Sequence, residues 1–403
     1  MTTIPLSPID HVFTGAGSYP LEFAFAYAHP LDPDRLAESL ARTLALFPPM
    51  TSRLVRVSDE AYGLMPDREG CVFEATTSTA SFADPATRPG FLSPVETREG
   101  QALTRIRLSR TPEGSVLGVS ASHAVVDGYS FFHFLSSWAR VFHGREAEPP
   151  SHRRDLLAPP PCPPGRPVGP SDVLAACGLF CGEKRQSIPR ERLRWHRQVL
   201  GRGEFSALLA QAQRDVEVRL SHNDVITAWL WKNYVPRWAE GATDPVTHAN
   251  CPVDGRRLLP SFPRTYFGCA VALATASIPR KELDGTSLGG LARRVRSAVA
   301  HLDAAAFRRS LLTIDRLRRQ EGLEGLDRCH VVHPHCGILV TNLSRLPVRE
   351  VEFDGGPPVA FDILTPAERC AVVLPSDDGV DVRVCLPAAS TSAAGGETTA
   401  DGR

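Results

Sequence analysis

The sequence predicts an α/β protein of mixed sheets flanked by helices and built in two halves. Three observations carry that prediction. Strand-like alternation and helix-like periodicity are interleaved on both sides of the chain's midpoint. The halves are separated by residues 149–170, which hold nine prolines and suit neither a helix nor a central strand. The 403 residues are 42% hydrophobic and 22% charged, enough for two cores of roughly 200 residues each. No repeat of 20–50 residues is visible. The predicted division is an N-terminal domain over 1–148, a proline-rich crossover over 149–190, a C-terminal domain over 191–387 and a disordered tail over 388–403, where the chain becomes small and polar.

Within the first half, LEFAFAY (21–27) sets Leu, Phe, Phe and Tyr on one face at period two, a strand. Asp32 and Pro33 start a helix: the carboxylate accepts free amide hydrogens, and the proline has no N–H to leave unpaired. Leu36, Leu40 and Leu44 continue it at helical spacing, and FPP (47–49) ends it. SVLGVSASH (115–123) reads as a buried strand and GYSFFHFLSSWARVF (128–142) as the helix after it. In the second half, Ser221 and Asp224 form a capping box before an apolar helix through Tyr234. YFGCAVALATASI (266–278) predicts a long strand, 287–302 an amphipathic helix and CGILVTN (336–342) a strand. Residues 370–386 predict a hairpin turning at Asp378-Gly379.

Charge excludes several functions. Lys+Arg and Asp+Glu are both 45, so no global basic field exists to hold nucleic acid or an anionic membrane. Only Lys184, Lys232 and Lys281 are lysines; with abundant Ala, Gly and Pro this bias suggests a GC-rich bacterial genome. The opening MTTIPLSPID lacks the layout of a secretory signal, and no run of about 18 apolar residues occurs. Ten scattered cysteines without a CxxC read as thiols of a reducing cytoplasm.

The stretch SASHAVVDGY (120–129) carries the chemistry. Were 123–127 helical, His123 and Asp127 would share a face, as an acid–base pair or a metal site. The preceding alternation instead ends a strand near His123. The chain then turns and reaches Gly128, suited to a tight bend, while Asp127 points away and locks the loop by pairing with an arginine. His123 then faces a cavity, with the small neighbours Ser122 and Ala124 leaving room for substrate.

HAVVDG (123–128) matches the HxxxDG signature, and the chain here resembles the BAHD acyltransferases, relatives of chloramphenicol acetyltransferase and of peptide-synthetase condensation domains. LSPIDHVF (6–13), the segment ending LFPPMTSRL, SHNDVITAWLWK (221–232), VDGRRLLP with TYFGCAV (253–271) and VTNLSRLP (340–347) resemble further family segments, in the family's order over roughly 5–387. Two features set the chain apart. Where the family has DFGWG this sequence has EFDGG (352–356), matching only at Phe353 and Gly356; that motif is structural in the family, and its loss suggests a divergent, bacterial rather than plant-type member. Condensation domains carry a histidine before the first; here Ser122 stands there.

The resemblance implies two similar chloramphenicol-acetyltransferase-like domains, each a mixed sheet flanked by helices, with a solvent channel between them. It implies a monomeric acyltransferase of secondary metabolism that moves an acyl group from a thioester, acyl-CoA or a carrier protein's phosphopantetheine arm, to a hydroxyl or amine of a small molecule. No cofactor is bound and no metal is needed. The alternatives are a carrier-protein-dependent condensation or cyclisation enzyme and a catalytically silent scaffold. His123 is the expected general base, an imidazole being suited to take the acceptor's proton and return it to the departing thiol. Asp127 is its structural neighbour, paired with Arg256 or, failing that, Arg257. The oxyanion donor is Thr341, Asn342 or a backbone N–H beside them, a role commonly worth about 3–4 kcal/mol.

Outside that motif, Tyr266 and Phe267 are expected at the substrate, together with Ser122 and Arg256. Cys329-His330…His333-Pro334-His335-Cys336 has the residue types of a zinc site without two separated ligand pairs; it reads as a loop whose His333 or His335 lines the acceptor pocket. RERLRWHR (190–197) reads as a solvated face, with contact to a donor phosphate or an acidic carrier domain as the alternative, and Trp229 and Trp231 as packing residues.

Overall fold

The structure, a computed structural model, describes residues 2–15, 17–160 and 165–386; the predicted tail lies outside the described residues. Two mixed sheets organise it. The first runs in the order Ala360–Ile363, Pro20–Tyr27, Gly114–Ser122, Thr104–Thr111, Cys71–Thr77, antiparallel except for the last pair. Pro20–Tyr27 and Gly114–Ser122 are buried along their whole length, which is why each reads as a nearly continuous run of small and apolar residues. The helix Gly128–Phe142 lies on this sheet, with Phe131 and Phe132 each 5.2 Å from the Phe23 ring. The helix Pro33–Leu44 starts at Asp32, whose carboxylate accepts from the amides of Asp34 and Arg35.

The second sheet runs Val271–Pro279, Val246–Asp254, Gly337–Asn342, Cys370–Leu374, Gly379–Leu386, Arg194–Gly201. Gly337–Asn342 is parallel to both its neighbours. The helix His222–Trp238, capped by the Ser221–Asp224 box, buries Trp231 against this sheet, whereas Trp229 is only partly buried. The strand Ala360–Ile363 belongs by sequence to the second half but pairs with Pro20–Tyr27 of the first, from Ala360 opposite Ala26 to Ile363 opposite Phe23.

Two expectations are corrected. The strand predicted over 266–278 begins only at Val271, because the amides before it go elsewhere. Phe267 donates to the Ser151 carbonyl, Gly268 to Ser130 Oγ, Cys269 to Asp10 and Ala270 to Asp127. The crossover also carries local helix: a 3-10 turn at Arg154–Leu157, between its prolines, and an α-helix at Pro170–Cys177. No described helix is long and apolar enough to cross a membrane.

Candidate active site

His123 follows directly on the fully buried strand Gly114–Ser122. The main chain turns there because Ser122 is saturated: its carbonyl accepts from Val125 (2.9 Å) and Val126 (3.2 Å), and its Oγ accepts from Ala124 (3.2 Å) and bonds Thr97 Oγ1 (2.8 Å). The turn delivers Asp127 as the N-cap of Gly128–Phe142, its Oδ1 accepting from the Ser130 amide at 2.9 Å.

The His123 ring is stacked on Phe13, centroids 3.9 Å apart and planes 7° from parallel, and meets Tyr19 edge-on at 5.8 Å. Its Nδ1 is buried and meets no hydrogen-bond partner among the described residues, so the side of the ring available to a ligand is Nε2. Burial lowers the imidazole pKa, opposed by its own main-chain carbonyl and by the negative charges of Asp127 and Asp10. Burial thus favours the neutral form of the ring.

No hydrogen bond joins Asp127 to the imidazole; the carboxylate binds Arg256 in a buried fork. Nη1 donates to Oδ2 at 2.7 Å and Nη2 to Oδ1 at 3.0 Å. Arg256 also donates to the carbonyls of Tyr266 and Gly268, to Ser130 Oγ and to Asp254. Burial would raise the Asp127 pKa, but the guanidinium and the two backbone amides outweigh it and hold the carboxylate ionised. Arg257, the alternative partner, is exposed and pairs with Asp254.

His123, Asp127, Gly128, Arg256, Thr341 and Asn342 share the wall of one cavity of about 1790 Å³, lined from both halves of the chain. Gly128 has no left-handed φ, contrary to the expected tight bend; it is the first residue of its helix, and a Cβ there would stand 3.7 Å from Leu343 across the gap. Thr341 lies near the end of Gly337–Asn342, its hydroxyl beside the Cys370 thiol. Asn342 is engaged: its amide nitrogen donates to Asn223 and its oxygen accepts from Ser344.

Five expected contacts do not line that cavity. Ser122 is spent on the turn, and its neighbour Ala124 is buried as well. Tyr266 and Phe267 are fully buried, Tyr266 against the Arg256 guanidinium and Phe267 against Phe47. His333 and His335 lie elsewhere, His333 stacked with His248 and 2.9 Å from Asp244. Asp244, His248 and His333 bring possible ligand atoms together, but His333 Nδ1 accepts the amides of His335 and Cys336. The ring proton thus sits on Nε2 and is donated to Asp244, which occupies the lone pair a metal would need. RERLRWHR is largely exposed, as a solvated face should be; within it the partly buried Arg190 pairs with buried Glu22 and the exposed Arg197 with Asp381.

Sequence reasoning missed the Asp10–Arg154 ion pair, which is wholly buried beneath the turn. Ser7-Pro8-Ile9-Asp10 has the pattern of a capping box and was legible as one; its second role, as a partner for an arginine 144 positions later, was not.

The family model described as "Transferase family" matches residues 1–395. The chain belongs to that family, the BAHD acyltransferases. Hydroxycinnamoyltransferase 2 of Oryza sativa subsp. japonica is 29% identical over 386 residues, covering 86% of this chain and 82% of the relative. Shikimate O-hydroxycinnamoyltransferase of Nicotiana tabacum is 27% identical, covering 80% and 77%. These are plant enzymes, so the bacterial, non-plant-type expectation gains no support. Among solved structures, F. sporotrichioides TRI101 complexed with Coenzyme A and T-2 superposes with a TM-score of 0.75 at 17% identity, over 96% of this chain and 95% of that one. Vinorine synthase does so at 0.71 and 17%, over 97% and 91%. The fold of this BAHD acyltransferase is thus the two-domain fold of those proteins.

EFDGG lies off the cavity of this acyltransferase and packs the two halves together. Phe353 is buried among Tyr27, Trp138 and Phe142, and Asp354 binds Arg35. The retained Phe supplies the contact; the acidic residue after it adds an ion pair.

Proposed function

We propose that this acyltransferase moves an acyl group, of the hydroxycinnamoyl type, from a coenzyme A thioester to a hydroxyl or amine of a small acceptor in secondary metabolism, with His123 as general base. One observation carries the proposal: a neutral imidazole, sealed on its Nδ1 side, stands on the wall of a cavity to which both halves contribute. In the reaction, Nε2 takes the acceptor's proton as its oxygen or nitrogen attacks the thioester carbonyl. The tetrahedral oxyanion accepts a hydrogen bond from Thr341. Its collapse breaks the C–S bond, and the imidazolium returns the proton to the thiolate. No covalent acyl-enzyme is required, because the thioester is already activated.

The donor class rests on the names of the relatives, which include hydroxycinnamoyl-CoA:5-hydroxyanthranilate N-hydroxycinnamoyltransferase HHT4 of Avena sativa and putrescine hydroxycinnamoyltransferase of rice, and on neighbours solved with Coenzyme A. Both oxygen and nitrogen acceptors occur among them. A single chain supplies both walls of the cavity, which supports a monomer as the working unit. The nine described cysteines are unpaired, which supports a reducing cytoplasm.

A panel of acyl-CoAs, including p-coumaroyl-CoA, with shikimate, 5-hydroxyanthranilate, anthranilate and putrescine tests this by free-thiol release and product mass. Transfer that disappears in His123→Ala supports the reading. Turnover only from a phosphopantetheinylated carrier protein would favour the condensation-type reading, and silence with every donor a scaffold.

A further inference from the structure

We propose that Asp10 and Arg154 are positioning residues that set the His123 ring for catalysis, an inference that rests on His123 being the base. Neither lines the cavity, and both are completely buried. Their contacts converge on the base from two sides. Arg154, in the crossover, donates through Nη2 to the Val125 carbonyl at 3.0 Å and leans on the Ala124 carbonyl at 3.5 Å, the two residues that follow His123. Its Nη1 binds Asp10 Oδ2. Asp10 also accepts from the Ser7 amide (2.8 Å) and hydroxyl (2.7 Å), closing the short helix Pro8–Val12. The end of that helix is Phe13, whose amide donates to the Asp10 carbonyl and whose ring is the plate on which the imidazole lies.

One ion pair therefore ties the main chain after the base to the helix that carries its stacking partner. A third tether fixes it: Asp10 Oδ1 accepts from the Cys269 amide, immediately before the Ala270 amide that donates to Asp127. Two carboxylates, each with its own buried arginine, thus hold successive amides of one segment. Space for this exists because residue 268 is glycine: a Cβ there would stand 3.2 Å from Arg154 Cζ. Coupling is mechanical and short, through Val125 on one side and Phe13 on the other.

A role confined to stability and a role in aiming the ring predict different kinetics. Arg154→Lys keeps the charge beside Asp10 but loses the fork to the carbonyls. Asp10→Asn/Arg154→Gln removes both charges, so no buried ion is stranded. With p-coumaroyl-CoA and the best acceptor of the panel, both variants are expected to lose kcat on the order of 10²-fold, with KM for the thioester changed by less than about twofold. The double variant is expected to melt closer to wild type than Arg154→Gln alone, without recovering kcat. A kcat within about threefold of wild type in folded Arg154→Lys, or recovery of kcat in step with melting temperature in the double variant, overturns the inference. His123→Ala in parallel separates the two readings: if it retains turnover, the base assignment has failed, whereas a dead His123→Ala beside an active Arg154→Lys rejects only the positioning role.

Discussion

Asp127 and Arg256, 129 positions apart, meet as a two-pronged ion pair with almost no access to water. The carboxylate caps the helix that follows His123, and the guanidinium ties that helix to the 266–270 segment. Removing one partner strands the other, whereas His123→Ala leaves no buried charge. Asp127→Asn is expected to cost about 3–5 kcal/mol in urea unfolding. His123→Ala should cost much less while losing far more activity per folded molecule. Equal stability losses in the two variants would contradict this division of roles.

The stack of His123 on Phe13 predicts the acidic limb of the rate profile. Burial lowers the imidazole pKa, and a base works only when unprotonated, so kcat/KM should hold to below about pH 6.5 before it falls. Phe13→Ser lets water reach the ring, which moves the pKa back up and the acidic limb with it. A limb that stays in place when Phe13 is replaced would mean that desolvation is not what sets it.

Much of this was legible because local chemistry repeats across levels. Asp32-Pro33, Ser221…Asp224 and the alternation in 21–27 each fix an element through its own hydrogen bonds or its own buried face, so the sequence announces them. His123, Asp127 and Arg256 were legible through the family's motifs. What failed was long-range. Tyr266 and Phe267 look like part of a strand, and only the acceptors at Ser151, Ser130, Asp10 and Asp127 divert their segment's amides from a sheet. His333 looks like a pocket residue until His248 and Asp244 claim it. The helical segment Ala304–Leu326, broken by a kink at Gly322, has no counterpart in the sequence reading, although its buried Phe307, Leu311, Ile314 and Leu317 recur at helical spacing.

His11 predicts how the fold responds to acid. It is buried, donating from Nδ1 to the Ser7 carbonyl and accepting the Tyr62 amide at Nε2, and burial brings its pKa down to about 4. The unfolded chain binds this proton near pH 6.5, so as pH falls from 6.5 to 4 the unfolded state gains protons that the native state refuses. Stability is fully present above about pH 6.5 and declines below it, by about 3 kcal/mol from this residue on reaching pH 4. His11→Gln should melt lower at pH 7.5 but show a shallower loss between pH 6.5 and 4.5. An unchanged slope would assign the acid response to other groups, such as His248, whose pKa is also lowered to about 4.

Thr341 and Asn342 adjoin at the end of one strand, and their bonding separates their roles. Asn342 spends its amide on Asn223 and Ser344, which braces the chain leaving the strand. Thr341 is beside the Cys370 thiol, a weak acceptor, and its hydroxyl can turn to a better one at little cost. A tetrahedral oxyanion is such an acceptor. Thr341→Ala should therefore lower kcat by on the order of 10²-fold, with stability changed by less than about 1 kcal/mol. Thr341→Ser, which keeps the hydroxyl, should recover most of it. Asn342→Ala should act mainly on melting temperature. If Thr341→Ala turns over at the wild-type rate while Asn342→Ala does not, the donor is the asparagine and the bonds that hold it are the ones it exchanges in the transition state.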